Sequence, residues 1–389
     1  MIFKKREGAT RRPLRLLVIS PWGVSGGYSG PLVLQNRLLS SLVTLSSDVQ
    51  VTVLYRDRGM AELPVWAHEP VPVVTAPPES FPKARQLAWL AKTVLYVLRH
   101  RHRFDAVFLQ GMYLHTCFPA LFLTKHAKVI ALPVVDGGDL ARNGQGIKNT
   151  IKSRMQSILL ARTILGISLS TGIQKDLIRL GVPEASTILA YNLVDTDVYR
   201  PGGGIKGTGS NFLDLVFVGA LGPRKQPHIM VEVCDLLRKR GIEATVTFVG
   251  PFESAAYESE IGALVERLKL SDVVRFVGLS EFPLRYFQEA SMFVLPSRSE
   301  GMPGAMSEAM ACGLPVVVSS VGAMPQVVEA AECGVVVENF DVASWVDAIE
   351  KLRKTPIVMH EMSANGRAFA QKHMKPDAVA DVIIDFIGS

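Results

Sequence analysis

Short apolar runs recur along the chain, each stopping at glycine, proline or a charged residue, and between them lie longer stretches in which apolar residues return every three or four positions. The first kind of segment reads as a buried strand and the second as a helix with one apolar face. In the first half the pattern predicts strands over Leu14–Ser20, Val49–Tyr55, Ala106–Gln110, Val129–Val135 and Ile164–Ser168. Helices are predicted from the first Gly-rich turn to Leu42, over Phe81–Phe104, Leu114–Lys125, Ile147 to about Arg162, and Gly172–Leu180. The second half restarts the pattern, with strands over Leu213–Val218, Ala244–Val249, Val273–Val277, one running into Val294, and Val316–Ser319, and helices between them. Repeated strand, helix, strand units specify a parallel, doubly wound α/β sheet, and ligands in such sheets bind beyond the carboxyl ends of the strands.

A chain of 389 residues that is 48% hydrophobic buries a large core and is too long for one ordinary domain. The seam is marked by PGGGIKGTGS at 201–210, a composition suited to a flexible linker. We therefore expect an N-terminal domain over 1–199, a linker over 200–210, a second domain over 211–371 and a closing helix over 372–389. No apolar run is long enough to span a bilayer, and the basic leader runs straight into the first strand without a cleavage-site pattern, so a cytoplasmic protein is expected. The four cysteines, Cys117, Cys234, Cys312 and Cys333, have no metal-like spacing and read as reduced core thiols.

Charge adds an asymmetry that the pattern alone does not show. Residues 1–200 hold 25 Lys and Arg against 13 Asp and Glu, a balance of +12, whereas residues 201–389 hold 17 against 23, a balance of −6. Such a basic first half implies an anionic partner, either nucleic acid or a phospholipid surface. Aromatic and basic residues are not interleaved in a nucleic-acid-binding motif, which favours membrane. The segment Phe81–Phe104 is a basic amphipathic helix in which Trp89 and Leu90 would join the lipid contact, or else an ordinary domain helix with a solvated basic end.

Candidate chemistry concentrates in VLPSRSEGMPGAMSEAMACGLP, Val294–Pro315. A strand gives way to a loop, then to a helix with proline at its start and glycine at its stop. Glu300 stands at the helix mouth and Glu308 two turns on, beside an N-terminus whose free N–H groups suit a phosphate. Two glutamates at this separation are by themselves ordinary helix formers. With its surroundings, E-G-M-P-G-A-M-S-E-A-M-A-C-G-L-P-V-V resembles the E-x7-E signature of the family 4 retaining glycosyltransferases, which have the GT-B fold of two Rossmann-like domains facing across a cleft. The resemblance is strongest over about Leu213–Leu352.

It implies a nucleotide diphosphate sugar as donor, with no cofactor and no metal. Glu300 would lie against the donor sugar, Gly301, Met302 and Gly304 would bring backbone N–H groups to the sugar and diphosphate, and Glu308 would hold the ribose. The base would lie near Phe276 and Val277. GALGPRKQP resembles the family's G-R-L-x-x-x-K-G, so Lys225 would meet the diphosphate; Ala220 replaces the family's Arg, Gln226 replaces its last glycine, and Arg224 is the candidate substitute for the lost cation. In the N-terminal half, Gly26 and Gly27 resemble the loop that approaches donor phosphate and acceptor, and Asp136 occupies the position where the family offers His or Arg beside the transferred sugar. ILAYNLVDTDVYRP resembles the interdomain border, with Leu193 at a consensus glycine; its Asp195-Thr196-Asp197 matches that border rather than a metal motif. The closing helix would cross back to the N-terminal domain. The expected acceptor is a glycan or lipid-linked molecule at the inner face of the cell membrane, with no nucleic acid. The departures at Ala220 and Asp136 leave a non-catalytic sugar-nucleotide-binding subunit as the second reading.

Overall fold

The structure, a computed structural model, describes residues 12–20, 30–57, 63–75, 83–133, 147–161, 165–202, 212–280 and 282–389. Gly26, Gly27, Asp136 and most of the Gly-rich linker lie outside the described residues. The chain forms two compact units, the first made of Met1–Leu193 with Pro376–Ser389, the second of Val194–Lys375.

Unit 1 contains strands β1 (Leu14–Ser20), β2 (Val49–Asp57), β3 (Glu69–Thr75), β4 (Ala106–Gln110), β5 (Lys128–Leu132), β6 (Leu165–Ser168) and β7 (Thr187–Leu189). They pair in the order β3-β2-β1-β4-β5-β6-β7, all parallel. Its helices are α1 (Gly30–Leu45), α2 (Lys83–His100), α3 (Leu114–Ala120), α4 (Ile147–Leu160) and α5 (Thr171–Arg179). Leu16, Leu17, Val18 and Ile19 of β1 are all fully buried, because a parallel strand covered on both faces has no polar side to alternate with.

β3 escaped the sequence reading for a physical reason. Its Pro70 and Pro72 argue against a strand, but β3 is the edge of the sheet and pairs only with β2, where a missing N–H can face solvent. The helix expected over Leu114–Lys125 also ends earlier, at Ala120. After Pro119 the chain tightens into i to i+3 bonds, Phe122 N to Pro119 O at 3.2 Å, Leu123 N to Ala120 O at 2.9 Å and His126 N to Leu123 O at 2.8 Å. A further correction concerns α2. Trp89 is 1% exposed, its ring perpendicular to that of His115, so it cannot reach a lipid surface; the apolar residues on the solvent side of α2 are Leu87, Leu95 and Leu98, flanked by exposed Lys92 and Arg99. Among the described residues no helix is long and apolar enough to cross a membrane.

Unit 2 contains strands β8 (Phe212–Val218), β9 (Glu243–Val249), β10 (Val274–Gly278), β11 (Met292–Leu295), β12 (Val316–Ser319) and β13 (Gly334–Val337) in the parallel order β10-β9-β8-β11-β12-β13. Helices α6 (Pro227–Lys239), α7 (Ala255–Arg267), α8 (Leu284–Glu289), α9 (Gly304–Ala311), α10 (Met324–Ala331), α11 (Val342–Arg353) and α12 (Pro356–His373) connect and cover them. All four cysteines are free and buried.

The chain leaves and rejoins unit 1 at neighbouring points. Val194 N donates to Met374 O at 2.8 Å, and Arg367 ties the border down by donating to Thr196 O, Tyr199 O and Ala311 O. Asp195 Oδ1 accepts from Asp197 N at 2.9 Å and Val198 N at 3.1 Å, a local turn that uses the carboxylate. The last helix, α13 (Pro376–Gly388), packs on α1 of unit 1, and Lys128 Nζ donates to Phe386 O at 2.6 Å.

Candidate active site

In unit 2 the strand order reverses between β8 and β11, the place where a doubly wound sheet opens a crevice at its carboxyl edge. The loop after β8 begins at Gly219, whose φ of 145° excludes other residues without strain. A Cβ on the neighbouring Gly250 would stand 2.1 Å from Gly219 O, so the ends of β8 and β9 can close only on glycine. The stem of Lys225 runs over Gly219 and Lys225 is 8% exposed. Gln226, where the resembling motif has glycine, adopts φ of 51° at the start of α6. With its amide turned to satisfy both neighbours, it donates to Pro296 O at 3.2 Å and accepts from Arg298 Nε at 2.9 Å, which offsets the left-handed backbone.

β11 supplies the other half. Ser297, Arg298 and Ser299 lead to Glu300, whose side chain is about nine-tenths buried and whose Oε1 receives three donors: Arg224 Nη1 at 2.8 Å, Lys225 Nζ at 2.9 Å and Ser297 Oγ at 2.9 Å. Arg224 Nη1 also donates to Ser299 O at 2.6 Å, and Arg298 N donates to Arg224 O at 2.8 Å, so the two loops are stitched through backbone as well. Burial alone would raise the Glu300 pKa; the charges of Lys225 and Arg224 and the bonds from Lys225 and Ser297 outweigh it and hold the carboxyl below its ordinary value. Ser297 is in turn fixed by Ser319 Oγ, which donates to Ser297 O at 2.5 Å.

The backbone beyond Glu300 is pressed from below by the turn after β12. A Cβ on Gly322 (φ 60°) would meet Glu300 O at 2.3 Å and Gly301 O at 2.4 Å, and Ala323 N donates to Gly301 O at 2.8 Å. Met302 is buried, Pro303 precedes Gly304, and α9 stops at Gly313 with φ of 73°. Glu308 lies on α9 and is 8% exposed; burial, and after it the Glu308 charge, push the Cys312 thiol up to about 12, so this cysteine is an inert neighbour. At the end of β10 the register with β9 skips Val277, a bulge that re-aims the strand end, while the Phe276 ring stacks on Phe248 with centroids 5.2 Å apart.

The structure thus joins Arg224, Lys225 and Glu300 on one oxygen atom, and sets Phe276, Val277, Gly301, Met302, Gly304 and Glu308 on the carboxyl side of the same sheet. Sequence reasoning missed Ser297, Gln226 and Gly322 as supports. Ser297 sits three residues before Glu300, close enough in sequence for its hydroxyl to reach the carboxylate; the roles of Gln226 and Gly322 depend on loops brought together only by folding.

Two parallel α/β units of this kind define the GT-B class of folds. The HepE protein of Anabaena, solved in complex with UDP, superimposes with a TM-score of 0.73 at 17% identity over 96% of this chain and 100% of its own. Sucrose-phosphate synthase of Thermosynechococcus elongatus does so with a TM-score of 0.75 at 20% identity, over 96% and 98% of the two chains. Residues 205–369, within unit 2, match the family model for glycosyl transferases group 1. Among curated relatives, D-inositol 3-phosphate glycosyltransferase of an Arthrobacter species is 31% identical over 182 residues, 46% of this chain and 42% of that protein. The Mycolicibacterium smegmatis protein of the same name is 29% identical over 183 residues, 45% of this chain and 42% of its own. The chain spans less than half the length of these relatives.

Proposed function

We propose that the protein is a retaining, metal-independent glycosyltransferase that moves a sugar from a nucleotide diphosphate sugar to a glycan or lipid-linked acceptor in cell-surface polysaccharide or glycolipid synthesis. The observation that carries this reading is the Arg224, Lys225 and Glu300 cluster at the carboxyl edge of unit 2. Two cations held at fixed positions suit a leaving diphosphate, which gains charge as the glycosidic bond loosens, and preorganised charge of this kind is the main device for lowering such a barrier. Arg224 would stand in for the cation lost at Ala220. Glu300 Oε1 is saturated by donors, which fits a group that orients the sugar and balances the cations rather than a nucleophile. Glu308 would accept from the ribose, the backbone N–H groups of Gly301, Met302 and Gly304 would meet the sugar and diphosphate, and the base would rest by Phe276 and Val277. Gly26, Gly27 and Asp136 are assigned to the donor phosphate and transferred sugar by resemblance.

That HepE was solved with UDP supports a nucleotide donor. The family match lies within unit 2, so it bears on the donor and leaves the acceptor to unit 1. The relatives' name makes inositol 3-phosphate one acceptor to include in any screen. For unit 1 we propose peripheral binding at the cytoplasmic face of an anionic membrane through the outer face of α2, where Leu87, Leu95 and Leu98 lie among Lys92 and Arg99.

A thermal-shift panel of nucleotide sugars followed by a transfer assay tests the enzymatic reading. A donor at a hundredfold its Kd should stabilise by roughly 2.7 kcal/mol. Binding without hydrolysis or transfer would instead favour a non-catalytic subunit. Flotation with neutral and anionic liposomes at low and high salt tests the membrane: equal partitioning to both would remove its electrostatic part.

A further inference from the structure

At the amino edge of the unit 1 sheet, opposite the edge at which doubly wound sheets take their ligands, a cavity of about 580 Å³ opens between the starts of β1, β4 and β5 and the end of α13. Its floor is fixed by backbone. Asp105 N donates to Arg15 O and Lys128 N to Asp105 O, both at 2.9 Å, and His126 N and Ala127 N both donate to Leu123 O at 2.8 Å. The one acidic side chain on its wall among the described residues, Asp105, is already satisfied, by Arg12 Nη2 at 2.7 Å and by Arg15 N at 2.9 Å.

The rest of the wall is basic. Lys128, half-buried, spends two of its three ammonium donors on Phe386 O at 2.6 Å and Ser389 Oγ at 2.9 Å, which leaves one N–H. Lys125 and His126 stand exposed beside it. The His126 ring lies 4.3 Å from that of His102, and Arg101 Nε donates to His102 Nε2 at 3.2 Å. Among the described residues none of Arg101, His102, Lys125, His126 and Lys128 forms a salt bridge. Desolvation lowers the pKa of Lys128, and that of His126 is lowered by desolvation and then by the charges of His102, Arg101 and Lys125. Both shifts lie in the direction that a bound anion would reverse.

We propose that this cavity binds a phosphate monoester, with its dianionic head among Lys125, His126 and Lys128. Three N–H donors on the wall of one cavity match the three acceptor oxygens that such a head presents. Low-dielectric walls focus the field of unpaired charges into a concavity, and this one is larger than a bare phosphate fills, so the organic part of the ester has room beside its head. With the head in place, the amine that already holds Phe386 O gains its counter-charge, and the end of α13 is tied more tightly to β5. The site lies at the opposite edge of the sheet from the crevice of a doubly wound unit, and its assignment does not rest on the enzymatic reading. A soluble ester and the head of phosphatidic acid share this chemistry; the concavity favours the soluble one.

The test is an imidazole NMR titration of the full chain at slightly alkaline pH, with the His126 signals assigned among the 8 histidines by comparison with His126→Gln. Glycerol 3-phosphate is the probe, and glycerol and sodium chloride at matched ionic strength are the controls. The probe should shift the His126 signals and raise the pKa of that imidazole, and the controls should do neither. Lys125→Ala and Lys128→Gln should each weaken binding about tenfold or more, the size expected for a lost charge-assisted hydrogen bond. Lys372→Ala, at an exposed lysine of α12 in unit 2, should leave it unchanged. Because Lys128 also holds α13, the exposed Lys125 keeps the test free of any effect on folding. His126 signals that move no more than with sodium chloride, or an affinity that both lysine variants leave intact, overturn the proposal. Phosphatidylcholine vesicles carrying phosphatidic acid or phosphatidylglycerol then identify the source. No competition with glycerol 3-phosphate by either assigns the site to a soluble ester, and competition by phosphatidic acid alone assigns it to a lipid head. Equal competition by both would mean that charge alone is recognised, and would overturn the monoester assignment.

Discussion

The loops that follow β4 and β11 occupy equivalent places in two sheets of the same topology, yet one is built from rings and the other from charges. After β11, Glu300 draws Arg224, Lys225 and Ser297 onto a single oxygen and is kept ionised by them. After β4, Tyr113, His115 and Trp89 make an aromatic cluster in which burial keeps the imidazole neutral. The same crevice can therefore be specialised by its side chains without changing the strands that make it. A charged loop suits a group whose charge changes during reaction, and a neutral loop suits one to be held and oriented.

The largest effect should come from dismantling the charged loop. Glu300→Ala should lower kcat about 100- to 1000-fold while changing nucleotide affinity far less, if its partner is the sugar as proposed. It should also cost about 3 kcal/mol in unfolding free energy, because Lys225 is left buried without its counter-charge. Full turnover in this variant would reduce Glu300 to a structural ion-pair partner. Within the same cluster, Lys225→Ala should lower turnover more than Arg224→Ala, whose side chain is 47% exposed, and Ala220→Arg should leave activity unchanged or raise it. If Arg224→Ala stays fully active, the diphosphate charge is met elsewhere, for example by the N-terminus of α9.

The next effect contrasts the two loops by pH. His115 is neutral in the folded state down to about 4 but protonates near 6.5 when unfolded, so its contribution is complete above the unfolded value and drains away as pH falls from there towards 4. Over that window it accounts for roughly 3 kcal/mol, to be read as a slope of stability against pH that His115→Phe abolishes. Glu300 loses its contribution in the same direction but in a more acidic window. Its folded pKa is depressed, so its contribution is fully present above the unfolded carboxylate value and is lost only as pH falls through the lower folded one. Denaturant titrations at stepped pH on the two variants would show one curve changing near neutrality and the other only in acid; coincident curves would erase the contrast.

Glu308→Ala should weaken donor binding by about 1.5–3 kcal/mol through loss of a charged acceptor, measured by calorimetry with a nucleoside diphosphate. Unchanged affinity would end its assignment to the ribose. The smallest effect concerns the outer face of α2: Leu95→Ser should reduce flotation with anionic vesicles severalfold without altering the pH slopes above, since Leu95 is exposed.

Much of this was legible beforehand. Continuous apolar runs located the central strands, and the Val294–Pro315 pattern located the loop that bears Glu300. Periodicity does not say which of two apolar stripes a neighbouring helix covers, and so it turned Trp89 outwards when α3 buries it. β3 went unread, and its prolines fit a strand only at a sheet edge, a position that belongs to the sheet and not to the segment. The departure at Gln226 looked like a loss of the family's glycine; folding shows that the backbone keeps the left-handed turn and that the longer side chain ties it to Pro296 and Arg298.

The return of α13 to α1 has a consequence for how the chain is made. Unit 2 is one continuous segment, Val194–Lys375, whereas unit 1 is completed only by Pro376–Gly388. On a ribosome, where domains fold as units while synthesis proceeds, unit 2 is wholly synthesised before unit 1 has its last helix. Until then the face of α1 that α13 covers stays open, as does the amine of Lys128 that will meet Phe386. The N-terminal unit is thus the later of the two to mature, and it must wait through the synthesis of its partner with an apolar helix face uncovered.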